Sequence, residues 1–253
     1  MKKYLLILFS VFAFGQSGLI ARQNFGHRQA NNANMISYWQ MENNGNDSDG
    51  SNDGTGVALT YGTGLVGQAA IFNGSNAYFS VPDADNLSFT NGTNDLPFSI
   101  SLIANFTATG DRWIFNKRGA TSGTDEYQIM LFGGLLYFVL FNYNNNAAYI
   151  QKTISFTPTL NQNYLLAFTY NGSGSHTGLS IYIDGVSVGT SSTGGTYTRM
   201  NNGTSPVIIG RSGWNTSLFF FSGKLDEIVI WNTALNSTQV TDINIILQSG
   251  NHL

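Results

Sequence analysis

Leu179–Thr190 reads LSIYIDGVSVGT, two runs rich in β-branched residues on either side of Asp184-Gly185. Asp-Gly between alternating apolar residues is the strongest short-range signal for a two-residue hairpin, because its turn needs positive φ at both central positions. Such a loop pairs Ile183 with Val186 and Ile181 with Val188. The four apolar side chains then share one face, and Ser180, Tyr182, Ser187 and Gly189 share the other. A hairpin of this kind is laid on a hydrophobic core.

The same grammar recurs along the chain. Met35–Met41 reads as a first strand, and Gln68–Phe72 and Ala77–Val81 flank the turn Asn73-Gly74-Ser75-Asn76. Phe98–Phe106 alternates apolar and polar residues as a half-buried strand does, broken only at Ile103. Further strands are expected at Arg112–Asn116, Tyr127–Phe132, Leu135–Phe141, Ala148–Ile154, Tyr164–Tyr170, Val207–Gly210 and Leu225–Trp231. Phe219-Phe220-Phe221 reads as a strand with one outward ring. One helix is expected, late in the chain: Asn236 and Gln239 form an N-x-x-Q capping box, and Val240, Ile243 and Leu247 follow at helical spacing. Short strands separated by Gly- and Asn-rich turns make a sandwich or a barrel.

The composition agrees. Charged residues are 10% of the 253, far below the usual quarter or so, while 29 glycines supply tight turns. The first fifteen residues carry Lys2 and Lys3 ahead of the apolar stretch Tyr4–Phe14, with small Ala13 and Gly15 before Gln16. That is the layout of a secretory signal, and it is too short to span a bilayer. Residues 16–34 then read as a linker and 35–253 as one domain, secreted or held at the cell surface of a bacterium. Without Lys2 and Lys3, 9 basic residues face 14 acidic ones, a net charge of −5. A mildly acidic surface without basic clusters argues against nucleic acid and against anionic membranes. The lack of cysteine excludes thiolate catalysis and Cys-ligated metals.

Several segments in order resemble the laminin-G-like jellyroll domains of the concanavalin A-like lectin/glucanase superfamily. They are Tyr38–Glu42 (YWQME), Asp47–Thr55 (DSDGSNDGT), Gly67–Gly74 (GQAAIFNG), Phe98–Ser101 (FSIS), Ala167–Gly172 (AFTYNG), Leu179–Gly185, Ile208–Gly210 (IIG) and Gly223–Val240 (GKLDEIVIWNTALNSTQV). The resemblance spans roughly residues 36–245 and departs at Ile103 and Asn163, where such domains commonly carry Trp. It implies an all-β fold, a two-sheet antiparallel β-sandwich with one short C-terminal helix, one sheet concave and one convex. It also implies a structural calcium near the joined chain ends.

The loop Asp47–Gly54 is acidic and Gly-rich, as a calcium loop can be. It is not an EF-hand: counted from Asp47, position twelve is Ala58 and position six Asn52, and counted from Asp49, position twelve is Thr60. The resemblance brings in Asp226, so Asp47 and Asp226 are the expected calcium carboxylates. Asp226 and Glu227 are neighbours on a strand, and alternation sends them to opposite faces, which denies them the paired role of glycosidase carboxyls. Asp125-Glu126 reads as a loop end. None of His27, His176 and His252 sits in a Ser/His/Asp setting.

Aromatic side chains remain. Trp39 and Trp231 lie in strands and read as core, whereas Trp214 sits in the polar loop Arg211–Asn215, where an indole is exposed. Asp111-Arg112-Trp113 is a second mixed polar and aromatic spot, with Tyr137 and Tyr143 a third. Flat rings with nearby polar groups suit the apolar face of a sugar. Arg112, Trp113 and Trp214 are therefore the expected ligand contacts of a carbohydrate-binding module without catalysis. The alternatives are a protein-interaction or adhesion module on a cell or virion surface, and a glycoside hydrolase or lyase. The sequons at Asn73, Asn91, Asn171 and Asn215 read as turn residues.

Overall fold

In the computed structural model, residues 33–119, 124–142 and 145–253 are described, without the side chains of 145 and 146. The expected signal segment 1–15 and nearly all of the linker 16–34 lie outside the described residues, as do His27 and Tyr143. Among the described residues no helix is long and apolar enough to cross a membrane.

Two eight-stranded antiparallel sheets face one another. The first contains β1 (Met35–Trp39), β3 (Thr60–Thr63), β4 (Gln68–Asn73), β6 (Phe98–Phe106), β11 (Asn163–Tyr170), β12 (Leu179–Ile183), β13 (Val186–Val188) and β16 (Ser222–Trp231). Its order is β13-β12-β11-β6-β16-β4-β3, with β1 also paired to β16. The second contains β2 (Thr55–Val57), β5 (Tyr78–Val81), β7 (Arg112–Lys117), β8 (Tyr127–Phe132), β9 (Leu135–Asn142), β10 (Asn145–Ser155), β14 (Thr190–Gly194) and β15 (Val207–Ile209). Its order is β14-β10-β9-β8-β7-β15-β5-β2.

The hairpin forms in the expected register, Ile181 opposite Val188 and Ile183 opposite Val186. Asp184 and Gly185 take φ of 51° and 85°, the left-handed pair its turn requires. Ile181 is in the core between the sheets, but Val186, at the tip, is 64% exposed. Tyr182, on the supposedly polar face, is buried in a second core with Leu165, Ala167 and Val240. The helix α1 (Ser237–Gln248) creates that second core by lying on the outside of the first sheet. Both halves of its capping box form, and Val240, Ile243 and Leu247 are its buried face.

This layer explains Ile103. Ser99 and Ser101 are fully buried, and Ser99 Oγ donates to the Thr233 carbonyl and accepts from Leu235 N–H. Ile103 packs with Val66, Val229 and Leu247 in the outer core. The strand is thus buried on both faces, and Ile103 continues its pattern. Phe219–Phe221 corrects the strand expected there: the segment bonds through its backbone to Trp113, Gly210 and Gly74 but is not a strand, Phe219 has φ of 63°, and Phe221 enters the main core.

Candidate functional site

Among the described residues no α-helix covers the outside of the second sheet, and Trp113 and Trp214, singled out in the sequence, meet there. In β7, Trp113 pairs with Met130 and Phe115 with Ile129, so Ile114 is an extra residue, a bulge. Ile114 and Phe115 both enter the main core. The bulge shifts alternation by one, and Trp113, Asn116 and Arg118 all come to the outer face. Gln128, Met130 and Phe132 of β8 share it, because Ile129 and Leu131 point into the core. Tyr137 stands opposite Met130 on the same face.

Asn116 brings in the loop that carries Trp214. Its side-chain amide donates to the carbonyls of Ile208 (3.0 Å) and Arg211 (2.8 Å) and accepts from Gly213 N–H (2.9 Å). Trp214 is then 54% exposed beside Arg118, whose guanidinium carbon lies 5.5 Å from its ring centre and 5.1 Å from that of Phe141. Trp113 is nearly buried, with the Phe219 ring 4.8 Å and the Phe132 ring 6.2 Å away. The left-handed φ of Phe219, costly for so bulky a residue, sets its ring on Trp113. Together Trp113, Arg118, Gln128, Met130, Phe132, Trp214 and Phe219 line a shallow cavity of about 340 Å³.

Of the three expected ligand contacts, Trp113 and Trp214 are brought together and Arg112 is not. Arg112 pairs with Leu131, an inward residue, and its guanidinium donates to the carbonyls of Asp111 (2.6 Å) and Thr109 (2.9 Å). Arg118 is the residue that sequence reasoning missed. Its Nε pairs with Asp125 Oδ2 at 2.7 Å and its Nη1 donates to Gln128 Oε1 at 2.9 Å. Asp125-Glu126, read as a loop end, splits by alternation: Glu126 turns inward to the buried Lys117, which also meets Asp83 at 2.7 Å. Burial pushes the Asp125 carboxyl up to about 6, against the pull of Arg118.

The expected calcium carboxylates have separate surroundings. Asp47 organises its own loop: Oδ1 accepts from the N–H groups of Tyr38, Asp49 and Gly50, and Oδ2 from that of Asn52. Asp226 shares none of these donors. It lies at a bulge in β16, where Asp226 pairs with Ile103 and Val229 with Ser101, three residues against two. Leu225 and Ile228 both point into the main core, so Asp226 and Glu227 sit together on the outer side. This corrects the expectation of opposite faces.

Both carboxyls are buried. Burial raises the Asp226 carboxyl to about 8, and the charges of Glu227 and Glu42 push the same way. Glu227 accepts from the Tyr38 hydroxyl and lies 2.7 Å from His252 Nδ1. Burial raises its carboxyl as well, against those two contacts.

Among the described residues no three His, Cys, Asp or Glu side chains form a ready metal cluster. Gly64 nevertheless leaves a cradle. A Cβ there would run into Asp226 Oδ2 and lie 2.9 Å from the Val66 carbonyl oxygen. Carboxylate and carbonyl oxygens with excess negative charge nearby are donors that suit a hard cation.

The chain matches the Laminin_G_3 family over residues 73–241, well over half its length, and it belongs to the concanavalin A-like lectin/glucanases superfamily. No curated protein matches it significantly. Among solved structures, the binding domain of Paraclostridial Mosquitocidal Protein 1 is similar (TM-score 0.64, 16% identity, 85% of this chain and 52% of that one). So is domain 4 of AbnA, an extracellular arabinanase from Geobacillus stearothermophilus, in complex with arabinotriose (TM-score 0.57, 21% identity, 83% and 98%). A third is the botulinum neurotoxin DC binding domain in complex with SialylT (TM-score 0.61, 15% identity, 86% and 52%). This chain spans about half the length of the toxin binding domains it matches. At these identities the likeness is one of fold.

Proposed function

We propose that this protein is an exported, non-catalytic carbohydrate-binding module, whose ligand lies on the outer face of the second sheet against Trp214 and Trp113. The observation that carries the reading is the cavity there. A half-exposed indole stands over a floor of aromatic and Met side chains, with an arginine and a glutamine at its polar side. Stacking on rings with few polar contacts matches how proteins hold the apolar face of a sugar. Among the described residues no carboxylate lines the cavity, and the bulge-paired Asp226 and Glu227 are buried and are not part of its lining. Bound glycans in two structural relatives favour the same reading.

A structural calcium belongs to this proposal. Asp226 would hold it, with the Val66 carbonyl and Glu42 beside it, while Asp47 keeps the preceding loop in shape. Bound there, the ion would supply charge neutralisation to a crowded acidic corner.

A polysaccharide pull-down and glycan array, run with calcium and with chelator, test the function. Retention on at least one glycan, lost on Trp214→Ala, is the expected result; no binding in either condition refutes it. The second reading, a protein-contact module, is favoured by Phe132 and Leu218, both exposed apolar side chains on or near the Trp214 loop. Capture of a single partner by the wild type and not by Trp214→Ala, without glycan binding, would establish it instead.

A further inference from the structure

We infer that the ligand of this face is an uncharged sugar, and that Asp125 sets this preference by neutralising Arg118. The inference rests on the sugar-binding reading and adds the charge class of the ligand.

Three arginines stand on or beside the face, and each is engaged. Arg112 is turned away onto two backbone carbonyls. Arg211 donates to the Ser212 carbonyl (2.8 Å) and stacks 4.1 Å over the Tyr78 ring, and it does not line the cavity. Arg118 does line it, but its Nε edge is held by Asp125, one terminal nitrogen is held by Gln128, and its flat face lies against Trp214 and Phe141.

An acidic sugar placed here would therefore meet a cation whose charge is already balanced by a buried carboxylate. It would be desolvated without an adequate counter-charge, which is costly. A neutral ring has no such penalty. Its C–H face can lie on the indole, and its hydroxyls can reach the polar groups of the wall. Those polar groups are Arg118 and Gln128, which line the cavity. Among the described residues no unpaired carboxylate lines the cavity either, and the nearest cation, Arg118, already lies against the Trp214 ring.

Affinity electrophoresis at pH 7.5 separates the cases. The probes are arabinan, mannan and β-glucan as uncharged polymers, and polygalacturonate and alginate as acidic ones. The wild type is expected to be retarded by at least one uncharged polymer and by neither acidic one. Asp125→Asn frees the guanidinium, and its affinity for the acidic polymers should rise by about ten-fold, the size of a charge-assisted hydrogen bond. Adding Arg118→Gln to that variant should abolish the gain. Wild-type protein that binds polygalacturonate or alginate as tightly as the uncharged polymers overturns the inference while leaving sugar binding intact. A folded Asp125→Asn protein with no gain overturns the role of Asp125. Retardation by none of the five overturns the inference together with the reading it rests on. The wild-type comparison needs no variant, so it decides the charge class even if Asp125→Asn fails to fold.

Discussion

Gly64 shows how much a missing side chain can decide. Its place against Asp226 Oδ2 and the Val66 carbonyl leaves no room for a methyl group, which would push those two oxygens out of position. Calcium should raise the Tm of the wild type, chelator should lower it, and Gly64→Ala should no longer respond to either; differential scanning fluorimetry measures all three. A wild-type melt that is the same in excess chelator removes the calcium proposal. At this scale the sequence was legible where a residue contradicts its neighbourhood. Trp214 in a polar loop signals exposure, and that is how it stands. Arg118 was illegible for a physical reason: the extra Ile114 changes which residues of β7 face outward, and no local composition marks that insertion. Strict alternation places Arg112 and Trp113 on different faces, so adjacency in sequence misled the grouping of those two.

Elements differ in how openly they announce themselves. The helix was readable because Asn236 and Gln239 carry their own reason for a start, two side chains satisfying backbone N–H groups that a helix leaves free. Asn236→Ala should cost about 1 kcal/mol and lower the Tm by roughly 2–4 °C in a chain of this size, measurable by thermal melt. A larger loss would mean that the cap also anchors the outer core on the first sheet. β6 was readable as a strand but not as one buried on both sides, because Ser99 is covered by a segment more than a hundred residues later, Thr233–Leu235. β2, β3 and β14 escaped notice entirely. Their sequences, TGV, TYGT and TSSTG, are short and mostly polar, and all three are edge strands, where no apolar alternation is demanded.

For the whole molecule, the buried acids dominate the response to pH. Asp95, Asp125, Glu126, Asp226 and Glu227 are all raised, with burial the first cause in each case. A carboxyl in the unfolded chain titrates near 4, so between about 4 and the raised folded values the native state binds more protons than the unfolded one. Stability therefore falls as pH rises through that window. The window reaches about 6 for Asp125 and about 8 for Asp226. In chelator, the Tm should be higher at pH 5 than at pH 8, the reverse of ordinary acid denaturation. Added calcium should lift the pH 8 value more than the pH 5 value, because the ion competes with the proton for Asp226. A Tm in chelator that rises toward pH 8 would show these acids to be solvated or otherwise paired.

The bulge in β16 works like a frameshift written in space. One additional residue at Asp226-Glu227 resets the sidedness of everything downstream, and that is what sends Ile230 inward while Trp231 goes under the helix. Straightening the strand with both acids kept would reverse that assignment and push an indole into room sized for an isoleucine, whereas deleting one acid would restore regular alternation and leave Trp231 under the helix. The acidic corner is therefore a doubled outward step, inserted without putting the residues beyond it out of phase with β6.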